Sequence, residues 1–165
     1  MHTILTLHGD SDMAAGISTI VEAAGYRSLY TTDSYQGLSL LLNEPIDLLI
    51  QNIARRDMDG FQLYSLMKSE SQLRDIPMLI VTGYVAVVTK VELGGRLHGC
   101  LHRVKIISGS DSPKSLYVEG CVPVPFHLKE LPDTIKPILE KCSRSLLTEE
   151  ERTLRYQQLW SQTPW

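Results

Sequence analysis

The sequence has few features that would cross-link it or bind it to a polyanion. It contains only three cysteines, Cys100, Cys121 and Cys142. An odd number of widely spaced cysteines does not fit a disulfide scaffold and is typical of a reduced, intracellular protein. Lys and Arg number 16 against 19 Asp and Glu, for a net charge of -3, and neither sign forms a long run. This balance argues against binding to nucleic acid or to an anionic membrane.

Long hydrophobic segments are also lacking. The longest apolar run, residues 78–88, is interrupted by Thr82 and Gly83 and is too short to span a bilayer. The first residues do not have the basic region, apolar stretch and cleavage site of a signal peptide. We therefore expect a cytoplasmic protein. With 165 residues, 43% of them hydrophobic, the chain suits one compact domain with an appendage.

Short apolar runs alternate with segments of helical period in the first half of the chain. The runs at residues 4–7, 28–31, 47–52 and 77–81 predict strands. The segments between them carry apolar residues three and four positions apart and predict helices. This alternation predicts a parallel sheet covered by helices, with ligands or chemistry at the carboxyl ends of its strands.

Five short segments match one known family in their order and spacing. They are AAGY at 23–26, PIDLLI at 45–50, MDGF at 58–61, RDIP at 74–77 and PF at 125–126. With the first four segments, residues 4–83 resemble a response regulator receiver domain without a gap, and PF resembles the turn before the last helix of that family. The resemblance implies a doubly wound, five-stranded parallel α/β fold of the CheY-like type, which we assign to residues 1–143.

The residues that a receiver needs for phosphorylation are mostly changed. The resemblance implies an aspartate nucleophile where this chain has Asn52, and an amide cannot attack phosphorus to form an acyl phosphate. The acidic pair that the resemblance implies after the first strand is replaced by His8 and Gly9, with Asp10 one place beyond. Mg²⁺ needs several oxygen ligands, preferably anionic, and few remain here.

The other side of the predicted pocket is changed as well. Val124 stands where the resemblance implies a lysine, so the cation that would neutralise a phosphoryl group is missing. Thr82 alone keeps the family residue. The changes indicate a degenerate pseudo-receiver without catalytic residues, metal or cofactor. Asp10 also suits a helix cap, whereas for His8 a surface position, a pH-sensitive pocket group and a weak metal ligand stay open.

Residues 84–120 form a longer connection than the family pattern has. The valine-rich residues 84–93, the alternating residues 101–107 and the short run at 116–118 predict strands, and residues 108–113 predict a turn. We interpret this insertion as one or two β-hairpins. Zinc accepts the side chains of His98, Cys100 and His102, but their spacing is not that of a zinc finger, and we expect ordinary hairpin residues instead.

Residues 144–165 extend the chain beyond the receiver pattern. The last receiver-like helix is predicted from about residue 132 to 143, and Thr148 and Glu151 then form a capping-box pattern that predicts one more helix. Its aromatic and apolar stripe either packs on its own domain or docks on a partner. The candidate interaction residues are Tyr156, Leu159, Trp160 and Trp165.

These features predict a phosphorylation-independent module of signal transduction, such as a two-component system, that binds an unidentified signalling protein and is not an enzyme. A homodimer stays open. Binding is expected on the face formed by the insertion, the last receiver-like helix and the tail. Two alternatives remain: a ligand- or nucleic-acid-responsive regulator that uses the altered pocket or the insertion, and a phosphorylatable receiver with an unusual pocket.

Overall fold

The computed structural model describes residues 1–53, 55, 57–83, 85–91, 101–107, 114–123, 128–143 and 146–162, apart from the side chains of residues 85, 107, 114 and 158–162. The strands of these residues are β1 Thr3–Leu7, β2 Arg27–Thr31, β3 Leu48–Asn52, β4 Met78–Thr82, β5 Val85–Lys90, β6 His102–Ile107, β7 Lys114–Val118 and β8 Gly120–Pro123. The helices are α1 Ser11–Ala23, α2 Ser34–Asn43, α3 Gly60–Ser69, α4 Leu131–Cys142 and α5 Glu149–Gln162.

Five of the strands form a parallel sheet in the order β2-β1-β3-β4-β8. Every residue of β1 and β4 is buried, which explains why these strands are almost continuously apolar. Helices α1 and α4 pack together on one face of the sheet, around the buried side chains of Ile17, Val21, Ile135 and Leu139. The predicted doubly wound, five-stranded α/β fold is confirmed.

Aspartates begin the first three helices and so fix the loops at the carboxyl edge of the sheet. Asp10 precedes α1 and accepts hydrogen bonds from the N–H groups of Asp12 and Met13. Asp33 and Asp59 cap α2 and α3 in the same way. Each side chain satisfies N–H groups that have no partner within the helix. The loops after β1, β2 and β3 are therefore held by local hydrogen bonds.

The insertion forms a second sheet, which is antiparallel and has the order β5-β6-β7. It connects two parallel strands, β4 and β8, where a helix is the usual connection. Its inner side chains, including Val104, Ile106 and Leu116, join the core formed by Leu63 and Met67 of α3. The predicted β-rich insertion is confirmed, and it covers the face of the main sheet beside α3.

The extra carboxyl-terminal helix, α5, packs back onto this domain. Its predicted capping box is present, because the N–H of Thr148 binds Glu151 and the N–H of Glu151 binds the Thr148 hydroxyl, both at 3.1 Å. One turn further, the buried Arg155 forms an ion pair with Glu119, which joins β7 to β8. Among the helices of the described residues, none has the length and apolar character needed to cross a membrane.

Candidate functional site

An open cleft of about 770 Å³ lies at the carboxyl ends of β1 and β3. It is lined by His8, Gly9, Asp10, Thr32, Asp33, Tyr35, Asn52, Arg55 and Asp57. The fold thus brings together four of the residues that the sequence placed in the altered pocket. Thr82 is buried at the end of β4 and is not among the lining residues, and Val124 lies outside the described residues.

Asn52 ends β3 and links two loops of the cleft. Its side-chain oxygen Oδ1 accepts a hydrogen bond of 3.2 Å from the N–H of Gly9, which follows β1. The amide therefore uses its oxygen to position the loop between β1 and α1. An amide in this contact offers no anionic oxygen to a metal ion and no nucleophile to a phosphoryl donor.

His8 is a buried group of the cleft wall, not a surface residue. Its Nδ1 accepts a hydrogen bond of 3.0 Å from the N–H of Asp10, so this nitrogen carries no proton. Burial lowers the pKa of His8 below its ordinary value; Asp10 opposes this shift and Arg55 adds to it. His8 is consequently neutral at neutral pH, and its Nδ1 lone pair is committed to the backbone.

Arg55 is a cleft residue that the sequence did not single out. Its Nη1 donates to the side-chain oxygen of Gln51 at 2.7 Å and to the backbone oxygen of Asn52 at 2.6 Å, while its Nε donates to the Ser34 hydroxyl at 3.0 Å. Burial lowers the pKa of Arg55 to about 10, against the opposing effect of nearby aspartates, and the guanidinium stays charged at neutral pH. A fixed cation therefore lies beside the Asn52 position.

Asp57 completes this network from the loop after β3. Its carboxylate accepts hydrogen bonds from the backbone N–H of Ser34 at 2.7 Å and from the Ser34 hydroxyl at 2.8 Å. Burial alone would raise the pKa of Asp57, but the hydrogen bonds from Ser34 and Met58 hold it below its ordinary value. Arg55 and Asp57 thus join the loop after β3 to the start of α2.

The positions of Arg55 and Asp57 in the sequence contain a signal for this network. Arg55 and Asp57 directly follow the carboxyl end of a buried strand, which is the position where functional residues are expected in this kind of sheet. Ser34 lies just after β2 in the same way, but its part in the network depends on a tertiary contact. Its contact with Asp57 joins residues that are 23 positions apart in the chain.

The charges in the cleft do not favour a divalent metal ion. Asp10 caps α1, Asp57 accepts hydrogen bonds from Ser34, and Arg55 adds a positive charge to the lining of the cleft. In the part of the chain that the structure describes, no three His, Cys, Asp or Glu side chains are grouped to hold a metal ion. Of the histidine and cysteine residues in the insertion, His102 begins β6, and His98 and Cys100 lie outside the described residues.

The candidate interaction residues of the tail divide into two groups. The ring of Tyr156 lies 4.2 Å from the guanidinium carbon of Arg74, so this residue packs on its own domain. The side chains of Leu159 and Trp160 lie outside the described part of the chain, as does Trp165. The docking role of these three residues stays a prediction.

The parallel sheet, its strand order and a polar cleft at the carboxyl ends of its strands are features of the receiver-domain fold. The chain has the same fold as the signal receiver domain of a signal transduction histidine kinase from Syntrophus aciditrophicus, with a TM-score of 0.60 and 18% identity, covering 90% of this chain and 99% of that one. It likewise matches the chemotaxis response regulator CheY4 of Vibrio cholerae, with a TM-score of 0.59 and 18% identity, over 84% and 98% of the two chains.

Sequence comparison points to proteins of the same kind. The chain is 26% identical over 139 residues to the response regulator receiver protein CpdR of Brucella abortus, which covers 84% of this chain and 98% of CpdR. It is 28% identical over 65 residues to the polar-differentiation response regulator DivK of Brucella anthropi, which covers 39% of this chain and 53% of DivK. No family model matches the chain.

Proposed function

We propose that this chain is a pseudo-receiver that regulates signalling by binding a protein partner, independently of phosphorylation and without enzymatic activity. The observation that carries the proposal is the cleft around Asn52. An amide stands where a receiver needs a nucleophile, and the cation of Arg55 is hydrogen bonded to the backbone oxygen of the same residue. The similarity to receiver proteins supports the signalling role, which we place in the cytoplasm.

Arg55 gives this proposal a second physical reason. Phosphorylation of a receiver depends on a metal ion, and a divalent cation beside a fixed guanidinium is repelled by it. The same guanidinium joins β3 to α2 through Ser34. The loop after β3 is thus held in one arrangement by the chain's own hydrogen bonds, with no need of a phosphoryl group or a metal ion to order it.

Incubation with acetyl phosphate and Mg²⁺ is expected to leave the protein unmodified, as measured by intact mass. The Asn52→Asp variant is also expected to stay unmodified, because it restores the nucleophile but neither the metal ligands nor the lysine that Val124 replaces. An active receiver treated in parallel shows that the reagent works. A stoichiometric, hydroxylamine-sensitive phosphoryl adduct on the wild-type protein would contradict the proposal.

The partner-binding part of the proposal assigns the tail as a docking segment. Truncating an aromatic hot-spot residue typically weakens binding by about 2 kcal/mol or more, so Trp160→Ala is expected to reduce capture of the native partner while leaving the melting temperature unchanged. Tyr156→Ala is the matched comparison, because Tyr156 packs on Arg74 and its loss is expected to lower the melting temperature. Intact capture by Trp160→Ala with a lowered melting temperature would remove Trp160 from the interface.

A further inference from the structure

The last strand of the main sheet, β8, leaves one backbone edge open among the described residues. It pairs in parallel with β4 and has no second neighbour in the sheet order. Backbone groups alternate between the two sides of a strand, and the N–H of Glu119 donates to the oxygen of Met78 at 3.0 Å, toward β4. The backbone groups of Gly120 and Val122 therefore point away from β4.

A cavity of about 270 Å³ lies at the start of this edge, beside Gly120, and we call it the β8 groove. It is lined by residues of α4, of the second sheet and of β8, including Gly120. Its walls include Thr134, Ile138 and Lys141 of α4 and Val88 and His102 of the second sheet. A Cβ atom on Gly120 would lie 3.1 Å from Cδ1 of Ile138, so glycine lets α4 approach β8 closely. The groove is thus a strand edge between two walls, which is the shape that accepts one more strand.

The charges at the groove favour an acidic occupant. The carboxylate of Glu119 lies at the groove but is engaged in the buried ion pair with Arg155. Lys141 is exposed on one wall, and Lys90 exerts its positive charge on His102 at the other. Burial, followed by the effect of Lys90, lowers the pKa of His102. Among the described residues that line the groove, Glu119 is the only acid, so the positive charges of Lys141 and of nearby Lys90 are not balanced there.

We propose that the β8 groove binds an extended, acidic segment of the partner protein, which adds to the main sheet as a strand beside β8. This inference rests on the proposed function and names the chemistry of the partner. The backbone of Gly120 provides main-chain hydrogen bonds within the groove, and that of Val122 continues them along the same edge beyond it. Val88 and Ile138 contact small apolar side chains, and Lys141, together with Lys90 near His102, attracts the acidic ones.

Two pairs of adjacent or equivalent residues give matched variants. Val88 and Val87 are neighbours on β5 with nearly equal exposure, 48% and 50%, but only Val88 lines the groove. Lys141 and Lys136 are both exposed on α4, and only Lys141 lines the groove. Val88→Glu and Lys141→Glu are expected to abolish binding of an acidic strand, whereas Val87→Glu and Lys136→Glu make the same charge changes outside the groove and are expected to leave it intact.

The probe is a short, end-blocked peptide in which valine alternates with glutamate, titrated into the full ¹⁵N-labelled chain. We expect the amide signals of Gly120 and Val122 to shift and to become protected from exchange with solvent. A peptide with lysine in place of glutamate, and a peptide N-methylated at alternate residues, are expected to cause no such shifts, because one reverses the charge and the other removes the main-chain donors.

Several outcomes would overturn the inference. The inference fails if the glutamate peptide leaves the amide signals of Gly120 and Val122 unchanged. It also fails if the peptide instead shifts the signals of β2, the other edge of the main sheet. Shifts of the same amides that depend on protein concentration without any peptide would assign the groove to a second copy of this chain. Equal binding by Val88→Glu and Val87→Glu would also exclude the groove.

Failure of the groove inference can be distinguished from failure of the proposed function. If wild-type protein captures its native partner and Val88→Glu captures it equally well, the groove is not the docking site but the interaction role stands. If the wild-type protein instead accepts a phosphoryl group, the pseudo-receiver proposal fails whatever the peptides do. Far-UV circular dichroism of all four variants verifies that each is folded.

Discussion

Replacing Arg155 with methionine is expected to lower the free energy of unfolding by about 3–5 kcal/mol. The Arg155 side chain is 1% exposed and that of Glu119 is fully buried, so the variant leaves a carboxylate in the interior without its counter-charge. The N–H of Met78 still donates to Glu119 at 2.7 Å, but one hydrogen bond does not replace a cation. Unfolding in urea, followed by circular dichroism, measures the loss.

A double variant separates the ion pair from the packing of α5. Glu119→Gln combined with Arg155→Met removes both charges and is expected to recover a large part of the lost stability, because breaking one partner is worse than replacing both. Arg152→Met, on the same helix, is the control and is expected to change stability little, since Arg152 is not among the buried residues. Equal stability of wild type and Arg155→Met would show that α5 is not anchored by this pair.

The ion pair between Arg155 and Glu119 attaches the middle of α5 to the domain. Glu119 joins the second sheet to β8, and Arg155 also approaches the backbone oxygen of Arg74, at 3.4 Å, in the connection before β4. Helix α5 therefore contacts both the point where the insertion returns to the main sheet and the connection that precedes β4. Any docking by the end of the tail starts from a helix that is already fixed to the domain.

Lys68 is expected to make the protein more stable as the pH rises above neutrality. It is fully buried on α3, and burial, together with the positive charge of Arg155, lowers its pKa well below the ordinary value of 10.5. At pH values between the lowered pKa of Lys68 in the folded protein and its ordinary pKa in the unfolded chain, the unfolded chain binds a proton that the folded chain does not. The free energy of unfolding therefore rises with pH across this window, since the unfolded state holds more protons.

The Lys68→Met variant tests this pH dependence. Methionine fills a similar space without a titrating group, so the variant is expected to be more stable than wild type at neutral pH, and the difference is expected to shrink toward about pH 10. Urea unfolding at several pH values measures it, with Lys129→Met as an exposed control that keeps the wild-type dependence. Parallel pH curves for wild type and Lys68→Met would contradict the assignment.

The order of the elements and the chemistry of the Asn52 position could be predicted from the sequence. Strands buried on both faces must be apolar along their whole length, so β1, β3 and β4 are visible as short runs. The turn and cap residues between them, such as Asp10 and Asp59, act on neighbours a few positions away. Because the carboxyl ends of parallel strands meet at one edge, the sequence alone places His8 and Asn52 in one pocket.

The buried charges were decided only by the tertiary structure. Lys68, Glu119 and Arg155 belong to residue types that are mostly exposed, and nothing local distinguishes them from the solvated charges around them. Their burial depends on contacts between segments far apart in the chain, such as Arg155 with the backbone of Arg74, 81 positions away. Val88 lines the groove and Val87 does not, although the two are neighbours in the sequence. Successive side chains of a strand point to opposite sides, and the packing of α4 and the second sheet beside β8 decides which side faces the groove.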